Sequence, residues 1–372
     1  NIWSESFDSE LGSVLGVQQA IARSIVDALR IKLAPVTEEY FGKLRTVNPD
    51  AYDLYLRGRY HWARFSEGGF RQSIDAFQRA IVADPDFAPP HAGLATVYSF
   101  MGYFGLMETG EAFDLSFREA NSALALDSES SEALIARGMA WLAHRWDWNK
   151  AREDLTRALE LSPNFSQAHW AMSLYESVVD PSAGLDAALQ ALSLDPLSLP
   201  ITHAVAMRYY SLGNLEEAKK TAERMVDLDP DFAPAHWVLG LVHMFDGRYD
   251  AAIEELTLSV ELSGGVPSTM AALAYAYAKS GDTIQALELL EQLKGRGELL
   301  QGGHVPALQI AYVYEGLGRT EDALDWLDRA FELRDPWLIH LNGFPRFESL
   351  RKEKRFQSLL RRLKLPEGTE RS

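Results

Sequence analysis

The stretch 199–232, LPITHAVAMRYYSLGNLEEAKKTAERMVDLDPDF, decides the fold. Val205, Ala206 and Tyr209 fall at helical spacing before Gly213-Asn214, and Ala218, Ala222, Met225 and Leu228 do so after it. Apolar positions three and four apart give each half one packed face. A glycine at the turn takes the positive φ that a helix end asks for, and the proline of Asp229-Pro230 prevents the second helix from continuing. The unit is two short antiparallel helices, and small residues such as Ala206 and Ala218 let them approach closely.

Outward from this unit the same landmarks return. Gly213, Gly247 and Gly281 lie 34 residues apart, and Tyr209, His243 and Tyr277 move with them, as do Ala218, Ala252 and Ala286. Such a period marks a repeat array whose units bury their apolar faces by stacking on their neighbours. One unit carries Ala235-His236-Trp237-Val238-Leu239-Gly240 with His243, Tyr249, Ala252 and Leu256. The next has Leu273-Ala274 with Tyr277, Ala286 and Leu290, and another has Ile310-Ala311 with Tyr314, Gly318, Ala323, Leu327 and Ala330. This pattern resembles the tetratricopeptide repeat family over most of the chain, with His243 standing where an aromatic residue is usual. The resemblance implies an all-α fold, a right-handed α-solenoid of helix-turn-helix repeats closed by a C-terminal capping helix.

Upstream, Ala133 to Pro163 makes a unit with Gly138, Trp141, Trp148, Ala151 and Ala158. A shorter one follows around Ala168, Ser173, Gly184, Ala191 and Pro196, its turn compressed at Asp180-Pro181. Two earlier units are looser and need extra residues near Gly68-Gly69 and between Met101 and Ala112 to keep register. Asp84-Pro85-Asp86-Phe87-Ala88 recurs at Asp229-Pro230-Asp231-Phe232-Ala233, 145 residues on, which is four periods plus nine inserted residues. The expected organisation is a junction segment at 1–50, about eight repeats over 51–336, a capping segment at 337–366 and a tail at 367–372.

The bulk composition agrees with a folded chain in water: 47% hydrophobic and 24% charged. No uninterrupted apolar run approaches the roughly 18 residues that span a bilayer. Acidic residues outnumber basic ones 53 to 36, so the net charge of −17 opposes direct binding of nucleic acid or of anionic lipid. Without cysteine there is no disulfide, thiolate metal site or cysteine nucleophile. The sequon Asn164-Phe165-Ser166 reads as a loop after Pro163. The chain starts at Asn1 rather than Met, and Ile2-Trp3 begins as though mid-strand. That start reads as a fragment or processed product whose targeting signal or upstream domain is out of view. The compartment stays open between cytoplasm and periplasm.

The ends carry a second resemblance. An amphipathic helix is expected at about 14–33, with Ile21, Ile25 and Ala28 on one row and Ala22, Val26, Leu29 and Leu33 on another. Trp3-Ser4-Glu5, Phe7-Asp8 and Val17-Gln18-Gln19-Ala20-Ile21-Ala22 resemble the junction in bacterial multidomain regulators at which a TolB-like domain passes into a tetratricopeptide array. The segment Tyr52 to Tyr60, Asp335-Pro336-Trp337 and Pro345-Arg346-Phe347 are similar to the same group. In that group a winged-helix, Ser/Thr kinase or nucleotidyl cyclase domain precedes the array. From Arg346 to Lys364 eight basic and two acidic residues accompany an apolar stripe of Phe347, Leu350, Phe356, Leu359, Leu360 and Leu363. The stripe reads as the buried face of a capping helix, with a membrane-surface helix as the alternative.

No catalytic constellation has the spacing its mechanism demands. Gly-x-x-x-x-Gly-Lys-Ser/Thr, Gly-x-Gly-x-x-Gly, His-Glu-x-x-His and Gly-x-Ser-x-Gly are all missing, and no cofactor or metal site is expected. His236 and His243 lie two turns apart on one helix, but both fall at packing positions. His203, His169 and His91 occupy comparable sites.

Function is therefore expected on a surface. In the resembled family the first helices line the concave side, which here places Tyr55, Arg59, Trp62, Phe100, Met139, Leu142, Trp170 and Leu174 inward. The row continues through His203, Met207, Tyr210, Trp237, Leu241, Met244, Phe245, Tyr275, Lys279 and Tyr312. So apolar a face needs a cover. A partner protein or peptide, the upstream domain, the chain's own superhelical closure, the 14–33 helix or a second copy would each supply one. The Lys and Asn set by which chaperone-type arrays grip a terminal carboxylate is missing from this row. The favoured function is a noncatalytic interaction scaffold in a bacterial signalling or transcription regulator. The alternatives are the accessory region of a kinase, cyclase or glycosyltransferase whose catalytic domain lies elsewhere, and small-molecule sensing in the groove.

Overall fold

The structure is a computed structural model that describes residues 48–64, 66–299, 305–341 and 345–365. The helix expected at 14–33, the junction motif before it and the tail at 367–372 lie outside the described residues. Helices follow one another in antiparallel pairs. The first four pairs are α1 (Pro49–Ala63) with α2 (Glu67–Ala83), α3 (Ala88–Tyr103) with α4 (Thr109–Leu126), α5 (Ser131–Ala140) with α6 (Trp148–Leu161), and α7 (Ser166–Val179) with α8 (Pro181–Leu194). A π-helical turn, Trp141–Arg145, prolongs α5. The next four are α9 (Leu199–Ser211) with α10 (Leu215–Leu228), α11 (Ala233–Phe245) with α12 (Tyr249–Ser263), α13 (Pro267–Ser280) with α14 (Thr283–Leu299), and α15 (Ala307–Gly316) with α16 (Thr320–Glu332). Two 3₁₀ turns, Pro336–His340 and Pro345–Leu350, lead to α17 (Lys354–Leu363). The described residues contain no strand, and the stack is an all-α right-handed solenoid with a C-terminal capping helix.

Several pairs are locked by a small residue facing a large one, as at Gly58 with Phe77 and Gly138 with Leu155. A Cβ at Gly240 of α11 would lie 2.4 Å from Leu256 Cγ of α12, so the glycine makes room for a leucine that is fully buried. The turn after α11 needs a different property of glycine. Gly247 has φ of +70° and its N–H bonds the Met244 carbonyl, while Arg248 N–H reaches back to the His243 carbonyl at 2.9 Å. That pair of bonds satisfies carbonyls a helix end leaves unpaired.

Breaks in the period have local causes. The second pair is long because α3 has 16 residues and α4 has 18, against 13 and 14 in α9 and α10. Between α7 and α8 only Asp180 remains, and its Oδ1 accepts the N–H groups of Ser182 and Ala183 with Pro181 opening the helix. A carboxylate cap with proline in the first turn starts a helix without a longer loop.

The basic C-terminal helix is a cap. Phe356, Leu359 and Leu363 are buried, and Phe356 packs on Phe347, which meets Tyr312 of α15. Its charges face α16: Arg355 pairs with Asp325 at 2.7 Å and Asp328 at 2.8 Å, and Arg362 with Asp328 at 2.9 Å. These carboxylates hold the Arg355 guanidinium well above its usual range. The stripe that a membrane-surface helix would insert is spent on the last repeat.

Between α16 and α17 the chain does more than cap. The Pro336–His340 turn crosses the concave side and lands on the second pair. Trp337 donates its indole N–H to the Tyr103 carbonyl at 2.8 Å, and the Tyr103 hydroxyl and His340 Nε2 are 2.7 Å apart. Arg334 donates to the carbonyls of His144 and Arg145 and lies over the Trp146 ring, which also packs on Phe331. The last pair is thereby clasped to the second and third.

Candidate functional site

Inside the clasp lies a cavity of about 390 Å³. Its wall is built by first helices from successive pairs, because those helices face inward at each step of the stack. Arg59 and Trp62 come from α1, Phe100 and Tyr103 from α3, Met139 from α5, Trp170 and Leu174 from α7, His203 and Met207 from α9, and Trp237 from α11. Trp337 and His340 of the clasp complete it. Phe100 and Trp170 stack with centroids 5.5 Å apart, Trp62 meets Phe100 edge-on at 5.8 Å, and Trp237 meets Trp337 edge-on at 6.2 Å.

The remaining inward candidates sit elsewhere. Tyr55 packs into the first-pair core against Phe77 and Phe87, and Leu142 and Leu241 are fully buried, so these side chains shape the wall from behind. Met244 and Tyr210 are buried too, and Tyr210 meets Phe245 edge-on while Phe245 itself is 53% exposed. Tyr275 stacks on Tyr312 at 4.2 Å, with Lys279 over the Tyr275 ring. Burial and the neighbouring Glu315 carboxylate push the Tyr275 phenol up. The row thus divides into the clasped cavity and a second aromatic run at α13–α15.

Sequence spacing did not single out Tyr103, Arg208, Trp337 or His340 of the cavity wall. Arg208 carried a signal, being the one charge in the otherwise uncharged α9 stretch LPITHAVAMRYYS. Trp337 stood in the Asp335-Pro336-Trp337 motif, but nothing near it marked a place on the wall, since its contact lies 234 residues upstream.

Charge in the wall is unevenly matched. Arg59 bonds Glu132 at 3.3 Å and the Tyr55 hydroxyl at 3.2 Å. Arg208 is 5% exposed, and among the described residues its guanidinium has no carboxylate partner and its Nε no acceptor. Burial pulls Arg208 down to about 10. His203 Nε2 is likewise without a partner, and burial, with Arg208 second, pulls its imidazole down to about 4. Of the other first-helix histidines, His61 and His243 also keep a buried Nδ1 without a partner among the described residues, and three have structural bonds. His236 meets Glu255 and the Pro230 carbonyl, His91 meets Glu119, and His169 meets the Pro163 carbonyl. No described helix is long and apolar enough to cross a membrane.

The molecule is a helical-hairpin solenoid that offers recognition surfaces. Family models described as tetratricopeptide repeat match residues 204–267 and 267–292. The same hairpins continue on both sides of the matched segment, so the array resembles a tetratricopeptide repeat solenoid beyond residues 204–292 as well. The chain is 33% identical over 97 residues to a putative adenylate cyclase 3 of Rhizobium meliloti, covering 26% of this chain and 16% of that protein. It is 22% identical over 207 residues to the transcriptional regulator HilA of Salmonella typhimurium, covering 55% of this chain and 30% of HilA. The chain therefore spans less than a third of these relatives' length. Among solved structures it is similar to the APC/C hetero-tetramer Cut9-Hcn1, with a TM-score of 0.52 and 18% identity over 84% of this chain and 54% of that one. The human IFIT1 dimer with PPP-AAAA gives a TM-score of 0.52 at 16% identity, covering 75% of this chain and 72% of that one. At these identities the likeness concerns the fold.

Proposed function

We propose that this chain is a noncatalytic interaction scaffold within a bacterial multidomain regulator, and that its concave side receives a helical or extended segment of a partner protein. The observation that carries the reading is the succession of incompletely buried side chains on inward helices: Trp62, Phe100, Trp170 and the exposed Phe245. Aromatic anchors of this kind supply most of the affinity in peptide recognition. The likeness to a putative cyclase and to a transcriptional regulator, each much longer than this chain, supports a role beside an effector domain. The cyclase likeness, higher in identity, favours a second reading as the accessory region of an enzyme.

Affinity capture with wild-type protein and with the double variant Trp170→Ala, Phe245→Ala tests the groove. Partners lost by the variant are expected; partners held equally by both would remove the groove from the function. The coding sequence upstream separates the two parent readings, a winged helix favouring the regulator and a cyclase or kinase core favouring the enzyme.

A further inference from the structure

The Arg208 guanidinium faces a cavity with no anion to meet it. An unpaired buried cation is costly, and buried charges in folded proteins are otherwise paired or hydrogen-bonded. Of the acids on the wall, Glu132 pairs with Arg59 and Glu67 with Arg71, while Asp229 accepts the Asp231 N–H, and neither Asp229 nor Asp231 forms an ion pair with Arg208 among the described residues. The surrounding wall is apolar and aromatic, with Trp237 and Trp337 held edge to face and His203 beside them, its ring 5.8 Å from that of Trp237. At about 390 Å³ the space is within the range of small-molecule pockets. A pocket of this size and largely apolar lining, with one buried cation that has no carboxylate partner, suits a ligand that is mostly flat and apolar and carries one negative charge.

We propose that the clasped cavity is a receptor site for a small aromatic carboxylate, with Arg208 as its counter-ion. Guanidinium takes a carboxylate through two parallel N–H bonds, which fixes the ligand's orientation as well as its charge. His203 Nε2, also without a partner, is placed to bond a polar substituent on the ligand. Closure by Trp337 and His340 would make occupancy and the clasp mutually dependent. The site shares Trp62, Phe100 and Trp170 with the surface proposed for a partner segment, so ligand and segment would compete for that part of the concave side.

The probe is 2-naphthoate, with uncharged 2-naphthamide as its counterpart, followed by calorimetry and by tryptophan fluorescence on the whole chain. One site is expected, with naphthoate at least tenfold tighter than naphthamide. Arg208→Met should abolish that preference and raise the melting temperature of the empty protein, because it removes an unpaired charge; Arg208→Lys should retain part of the preference. A lower melting temperature for Arg208→Met would mark the arginine as structural and overturn the assignment. So would equal binding of the two probes, or no binding, by wild type, and neither result depends on a variant folding. Tighter binding of acetyl-Ala-Ala-Ala-Trp with a free carboxyl group would transfer the site to a protein tail and overturn the small-molecule reading.

Discussion

Gly240 and Gly247 lie seven positions apart and are glycine for unlike reasons, which substitution separates. Gly240→Ala forces a methyl group against Leu256 and is expected to cost about 1–3 kcal/mol, as overpacked cores do. Adding Leu256→Ala should recover part of that loss in urea unfolding, against the usual direction of a leucine truncation. Gly247→Ala meets no neighbour within 4 Å, so its cost is conformational, about 1–2 kcal/mol for holding φ at +70°, and no second-site change should relieve it. His203 supplies a pH dependence. Its ring is near 4 in the folded chain and about 6.5 when free. Between those values the unfolded chain takes a proton that the folded chain refuses. The stabilisation is complete above pH 6.5 and is lost as pH falls toward 4. His203→Gln is expected to lose less stability between pH 7 and pH 5 than wild type does; parallel losses would exclude His203 as the source. At this scale the turn glycines were legible because they recur on one period. The isolation of Arg208 was not, since no spacing rule says which charges find partners.

At the scale of elements, the basic segment at the C-terminus shows how one stripe supports two readings. Phe356, Leu359 and Leu363 would serve a membrane or a protein equally well; the neighbouring helix decides. Glu321, Asp325 and Asp328 on α16 form an acidic row that Arg355 and Arg362 complete, and no such row is visible from α17 alone. Phe356→Ala is expected to cost about 3–5 kcal/mol through the cavity it leaves, and hydrogen exchange should show the loss concentrated in α15–α17. Arg355→Ala should cost under about 1 kcal/mol, because its ion pairs are exposed and screened. A uniform loss of protection over all repeats would contradict local capping. The compressed α7–α8 joint was legible as Asp180-Pro181, since an acidic cap and a proline are both local signals.

For the whole molecule, the repeats could be read from the chain because contacts within a hairpin, such as Gly240 to Leu256, span less than one period. The clasp could not. Asp335-Pro336-Trp337 stood out as a motif, but nothing near it names Tyr103 as its receiver. Trp337→Ala is expected to release the Pro336–His340 turn and enlarge the radius of gyration in solution scattering, whereas Tyr103→Phe, which keeps the carbonyl that holds the indole, should leave the envelope closed. Equal envelopes for Trp337→Ala and wild type would show that stacking alone sets the curvature. The clasp also has a consequence for how the protein is made. A chain synthesised from its N-terminus can add hairpins one at a time, each settling on the one before. The loop from Tyr103 to Trp337 closes only after the last hairpin has left the ribosome. Until then the inward tryptophans of a nascent chain stand open, so the interval before closure is when a chaperone would find this protein.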